Sequence, residues 1–224
     1  MTYKTPGPIN ADLSAPVSVQ TDALAWVSSP LPGVERRMLE RDGGEVARAT
    51  SLVRYAPGSR FDAHRHGGGE EFLVLEGVFS DENGDYVTGT YVRNPPGSSH
   101  APFTQGGCTI FVKLCQMPAH ETEVLRRDAS PSAMTPPAKG CFERVELFRA
   151  PHETVAIEAM GPGAWRPAAS EGEEILVLDG RLVYGGATYP AGTWLRRPTG
   201  SQQAISSPSG CRFWVKRGHL PKGA

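Results

Sequence analysis

Two uninterrupted apolar runs stand out along the chain, residues 72–75 (FLVL) and 175–178 (ILVL). Each is long enough for a strand buried on both faces and too short for a helix. Residues 153–160 (ETVAIEAM) are rich in small and β-branched residues. Shorter apolar stretches at 91–92, 110–112 and 193–195 predict further short strands. Gly and Pro recur about every ten residues, the spacing of an antiparallel sandwich or barrel. No βαβ pattern is present, and the only helical hint is the short polar stretch 119–127. The expected fold is all-β.

The pattern occurs twice. EEFLVLEG at 70–77 matches EEILVLDG at 173–180, an offset of 103 residues. The same offset pairs GTYVRNPPGS (89–98) with GTWLRRPTGS (192–201), and Gly107-Cys108 with Gly210-Cys211. Upstream, Pro57-Gly58 matches Pro162-Gly163 at an offset of 105. The second copy has therefore lost two residues where the first carries two histidines. Matched blocks at one offset mark a duplicated domain. Residues 128–140, rich in Pro, Ser and Ala, read as linker. The expected division is an N-terminal arm at 1–19, a first copy at 20–117, a linker at 118–140 and a second copy at 141–219.

The first copy carries a metal-site pattern. His64 and His66 are two apart, so on a strand both rings face one way. Gly67-Gly68-Gly69 supplies a flexible reversal that returns Glu70 beside them, and the Pro95-Pro96-Gly97 turn sets His100 on a neighbouring strand. Three imidazoles and a carboxylate suit zinc, iron, manganese, nickel or copper. Either Glu70 or Glu71 is the carboxylate, because strand neighbours face opposite ways; the spacing favours Glu70. Arg54, Phe72, Tyr91 and Phe111 are candidates to line a pocket, with Glu71 beside the ligands or at the surface. In the second copy no histidine precedes Glu173, and Gln203 takes the place of His100. That copy is expected to be metal-free, either as a packing partner or as a second small-ligand pocket walled by Trp165, Trp194, Glu173 and Gln203.

These two motifs, G-x5-H-x-H-x3-E-x6-G and G-x5-P-x-G-x2-H, resemble the two halves of the cupin signature. The phrase HRHGGGEEFLVLEGVF (64–79) is similar to the cupin-like domain of the ChrR anti-sigma factors. The resemblance covers residues 34–116 well and the second copy more weakly. It implies two jelly-roll barrels in tandem, a bicupin, with His64, His66, Glu70 and His100 as ligands. It also implies zinc and a part in the response to singlet oxygen. The chain departs from many cupins at Thr104, where an Asn is usual. ChrR proteins also carry a helical anti-sigma domain with its own His/Cys zinc site. The residues before Gly58 hold no Cys, no His and no helical period, so sigma-factor binding of that kind is not expected.

Composition narrows the functions. Lys plus Arg 23 against Asp plus Glu 24 leaves no basic excess for a phosphate backbone, so no direct nucleic-acid binding is expected. No run of 18 apolar residues spans a membrane, and residues 1–16 lack a secretory pattern. The four cysteines show no C-x-x-C and are expected reduced, small and buried, in a cytoplasmic chain. His120, His152 and His219 are expected at the surface. The expected partners are a small-molecule ligand or oxidant and a regulatory protein, and the chain is expected as monomer or homodimer. Two functions compete: a metal-bound regulatory or sensing module, and a dioxygenase of the non-haem metal type acting on a small diketone or phenolic substrate. The acetylacetone-cleaving and flavonol dioxygenases of the cupin superfamily look like this chain at the ligands.

Overall fold

The computed structural model describes residues 7–44, 46–130 and 137–222. Among them the structure is antiparallel strand and turn, with one 3-10 turn at Thr21–Ala23. The all-β expectation holds. Stretch 119–127 is not helical: its end forms a strand, because Leu125 can be buried by pairing with Arg93 on an existing sheet. The chain divides into two compact units.

The first unit comprises residues 7–11 and Leu24–Ser130. Its strands are β2 (Val27–Ser28), β3 (Val34–Gly43), β4 (Ala47–Tyr55), β5 (His64–Arg65), β6 (Glu70–Asp81), β7 (Gly84–Val87), β8 (Thr90–Asn94), β9 (Ser99–His100), β10 (Cys108–Leu114) and β11 (Leu125–Asp128). The large sheet runs β11-β8-β6-β10-β4-β3-β2, and β5 pairs separately with β9. Strand alternation sets the interior. Phe72, Val74, Val92, Ile110, Val112 and Val53 are in register on one face and form one buried cluster with Phe79 and Tyr86.

The second unit comprises Asp12–Ala23 and residues 137–222. Its strands are β1 (Val17–Gln20), β12 (Phe142–Ala150), β13 (Glu153–Met160), β14 (Ala164–Arg166), β15 (Glu173–Tyr184), β16 (Ala187–Pro190), β17 (Thr193–Arg197), β18 (Ile205–Ser207) and β19 (Cys211–Arg217). The sheet runs β1-β17-β15-β19-β13-β12. Strand β1 adds to the free edge of β17, so residues 12–23 belong to this unit.

The duplication is visible in a detail of the backbone. The β6–β10 register shifts by one residue at Leu75, and β15–β19 shifts at Leu178, which is Leu75 plus 103. Two residues on, Gly77 or Gly180 has a positive φ of 73° or 72°. A Cβ there would lie 2.2 Å from the carbonyl oxygen of Gly107 or Gly210. Both copies thus need glycine to turn the bulged strand against its neighbour.

Candidate metal centre

The site is assembled by the pairing of two very short strands. On β5 and β9, His64 stands directly opposite His100. The turn at Pro95-Pro96-Gly97 fixes His66, whose amide donates to Ser98 O (2.9 Å) and whose carbonyl accepts from Gly97 N (2.7 Å). The glycine reversal is pinned rather than loose. Cys115 N donates to Gly69 O and Met117 N to Gly68 O, and a Cβ on Gly68 would meet Cys115 Cα at 2.7 Å. Glycines serve close approach here, which carries Glu70 back to the histidines.

The three imidazoles form a near-equilateral triangle with centroids 4.8–5.1 Å apart. One ring nitrogen of each lies within 4.8 Å of the others. Glu70 Oε2 stands 3.6 Å from both His66 Nε2 and His100 Nε2. His66, Glu70 and His100 are buried, and His64 is exposed. The Nε2 atoms of His66 and His100 are buried and accept or donate no hydrogen bond. Two orphaned nitrogens aimed at a shared carboxylate oxygen fit a cation between them, since burial without partners is otherwise costly. Burial, helped by His64, lowers the His66 pKa to about 4, so its ring is neutral with a lone pair to offer. Burial pushes the Glu70 carboxyl up, opposed by His100 and by Asn94 Nδ2, which donates to Oε2 at 3.1 Å.

Asp81 is a residue that the spacing did not reveal. Its Oδ2 lies 3.1 Å from His100 Nδ1, and it is buried at the far end of β6. Tyr86 Oη donates to Oδ1 at 2.8 Å and Asn83 N at 2.7 Å. Burial pushes the Asp81 carboxyl up, but these bonds together with His100 outweigh it and hold it below its ordinary value. The carboxylate thereby fixes the imidazole with Nε2 turned to the centre. Residues 81–84 (DENG) read as a hairpin turn, and the only sequence signal was an acid at its first position.

The centre opens into a cavity of about 710 Å³. Val53, Val112, Leu114, Ala49, Phe61 and Pro102 give it apolar walls. Of the residues expected to line a pocket, Phe72 faces this interior. Glu71, Tyr91 and Phe111 stand on the opposite face of the same sheet, because each is one residue out of phase. Glu71 is ion-paired with Arg93 there. Arg54 also points the other way and pairs with Glu35 at 2.5 Å.

The second unit has filled the same space with charge. At the repeat offsets, the cavity walls Val53, Phe61 and Leu114 become Glu158, Arg166 and Arg217, and Asn94 becomes Arg197. Glu173, the counterpart of Glu70, pairs with Arg166 (2.6 Å), Arg217 (3.0 Å) and Arg197. Glu158 pairs with Arg217 (2.6 Å) and Arg166 (2.9 Å). Burial would raise the Glu173 pKa, yet the three arginines outweigh it and lower it. Trp165 is exposed, Trp194 is buried on the other sheet face, and Gln203 is exposed with its carbonyl on Arg197. These residues do not converge on a pocket with Glu173. Among the described residues, no metal-holding group includes Glu173.

Three smaller expectations change. Cys108 and Cys211 are buried, but Cys115 is half-buried and Cys141 exposed. Burial pushes the Cys108 thiol up to about 11. His219 is not at the surface; its Nε2 pairs with Glu174 at 3.0 Å, which anchors the C-terminal segment.

The family model described as the ChrR cupin-like domain matches residues 14–118 and 149–221. The chain belongs to the ChrR cupin-like domain family. Solved structures with the same fold include a candidate dioxygenase from Nostoc punctiforme, with TM-score 0.73 and 15% identity over 94% of this chain and 85% of that one. The bacterial pirin YhhW of Escherichia coli, solved in complex with nickel(II), aligns with TM-score 0.69 and 13% identity over 93% and 100%. The oxalate decarboxylase of Lactobacillus farciminis, solved as a formate complex, aligns with TM-score 0.59 and 13% identity over 92% and 87%. No curated protein matches the chain. At these identities the solved structures speak for the cupin fold alone, which is also the fold expected from the repeat. Among the described residues, no helix is long and apolar enough to cross a membrane.

Proposed function

We propose that the first cupin unit binds one divalent transition metal through His64, His66, His100 and Glu70, and presents it to a small organic molecule in the adjoining cavity. The observation that carries this reading is the pair of buried, partnerless Nε2 atoms on His66 and His100, both 3.6 Å from Glu70 Oε2. Zinc suits the donor set and the family, and iron, manganese or nickel suit the donor set equally. Such an ion supplies Lewis-acid chemistry and, if it is redox-active, oxygen chemistry. The chain's own residues do the rest. Asp81 holds His100 in one tautomer, Asn94 holds Glu70, and the apolar walls keep water from the bound molecule. The enzyme reading is a dioxygenase of the non-haem type acting on a small diketone or phenol, supported by a cavity with room for such a substrate.

A second reading is favoured by family membership: a regulatory module in which the same centre senses an oxidant or small molecule and signals to a protein partner. Metal identity separates the two. Elemental analysis of protein purified with and without added iron and manganese is the test. About one zinc per chain in both preparations supports the sensor. Iron, manganese or nickel, with oxygen uptake on β-diketones or phenols, supports the enzyme. His66→Ala should lose the metal and Gln203→Ala should keep it; full metal in both variants overturns the ligand set.

A further inference from the structure

The cavity walls are mainly apolar, and among the described residues one buried arginine on them keeps an open donor. Arg41 is buried and lines the cavity. Its Nη2 donates to Gly44 O, but its Nε has no hydrogen-bond partner. Arg36, the other arginine on β3 that lines the cavity, donates to Ser29 Oγ instead. A buried guanidinium with an open donor is costly unless an acceptor arrives.

The sheet register shows where Arg41 sits relative to the centre. Arg41 on β3 faces Ala49 on β4, Ala49 faces Leu114 on β10, and Leu114 faces Glu70 on β6. All four lie on one rung and all four line the cavity. A bulge between Met38 and Glu40 shifts the phase of β3, and that shift turns Arg41 to the interior face. Three inter-strand steps put the Glu70 and Arg41 backbones about 14 Å apart along the sheet. On that rung the side chains between them are Ala49 and Leu114, with Val112 and Ser51 on the rung to one side and Ala47 to the other.

We propose that the cavity takes a small amphiphilic carboxylic acid, its apolar body lying along the Ala49–Leu114 wall and its carboxylate on Arg41. A carboxylate can accept from the open Nε, and an apolar body replaces water against the walls without leaving polar groups unpaired. The proposal names the ligand class of the cavity described above, and it rests on the metal reading only for what stands at the ligand's other end.

Octanoate serves as the probe, with 1-octanol and octylamine as neutral and cationic controls. Binding is measured by calorimetry on zinc-loaded and metal-free protein, with zinc content determined on the same samples. The expected order is octanoate, then octanol, then octylamine. Arg41→Gln should weaken octanoate about tenfold or more while leaving octanol and zinc content unchanged. Arg41→Lys keeps the charge and should recover part of the loss. Equal affinity for the three probes in the unsubstituted protein overturns the proposal even if Arg41→Gln fails to fold. Octanoate binding that needs zinc but ignores Arg41→Gln also overturns it, since the carboxylate then sits on the metal. Failure to bind zinc with Arg41-dependent octanoate binding intact would sink the metal reading and leave this one standing.

Discussion

Asp81→Asn isolates how much of the metal centre depends on a residue that does not belong to the ligand motif. The substitution keeps the shape and removes the charge facing His100 Nδ1 at 3.1 Å. Both side chains are almost fully buried, 3% and 1% exposed, so solvent cannot replace the lost interaction. The amide keeps one acceptor oxygen in place of two, so it cannot serve His100 Nδ1, Tyr86 Oη and Asn83 N together, and it no longer stabilises a positively polarised imidazole. Partners of ligating histidines typically change metal affinity by about 10–100-fold when lost. That corresponds to about 1.4–2.7 kcal/mol. The assay is competition for zinc against a chromophoric chelator at neutral pH, with circular dichroism confirming the fold. Asp81→Leu should lose more than Asp81→Asn, because it removes the acceptor as well as the charge. If Asp81→Asn binds zinc as tightly as the unsubstituted chain, His100 is held by packing alone and the role given to Asp81 is refuted.

Other outcomes follow from the same geometry. Glu173→Gln leaves Arg166, Arg197 and Arg217 facing one fewer carboxylate in a buried cluster, and should destabilise the second unit by about 3–5 kcal/mol in urea unfolding. Gly77→Ala should cost about 1–2 kcal/mol from the positive φ alone, and the 2.2 Å approach to Gly107 O adds to it. In metal-free protein the lowered His66 pKa makes the unfolded chain the better proton acceptor. That stabilisation is complete above pH 6.5 and is lost as the pH falls toward about 4. The melting temperature should decline across that range, and less steeply in His66→Ala. Glu173 has the same sign at lower pH: its stabilisation is present above its ordinary pKa of 4.5 and disappears as the pH falls below it.

The strands and the ligand motif were legible because each depends on short-range periodicity. His64 and His66 share a face by alternation, and Glu70 follows from a fixed spacing. The pocket walls were not legible in the same way. Tyr91 and Phe111 are large, apolar and in the right strands, yet they sit one residue out of phase with Phe72 and Val112. A one-residue error in phase moves a side chain to the other face, and phase is fixed only once strands pair. Arg41 illustrates this sharply, since the bulge at Leu39 decides which way it points. The ionic cluster in the second unit was hidden for another reason. Each arginine is unremarkable alone, and their meaning appears only when Val53, Phe61 and Leu114 are set against Glu158, Arg166 and Arg217 along the repeat.

Strand β1 has a consequence for dissecting the protein. The chain enters the first unit at residues 7–11, crosses to the second for Asp12–Ala23, and returns at Leu24. Arg196, itself buried, donates to the carbonyls of Asp12 and Ala15 on that crossing segment. A single cut near residue 131 therefore does not release two whole domains. It yields a C-terminal fragment with an open edge on β17 and a buried guanidinium stripped of two acceptors. A synthetic peptide of residues 12–23 should restore that edge in trans, which makes the second cupin a natural system for fragment complementation.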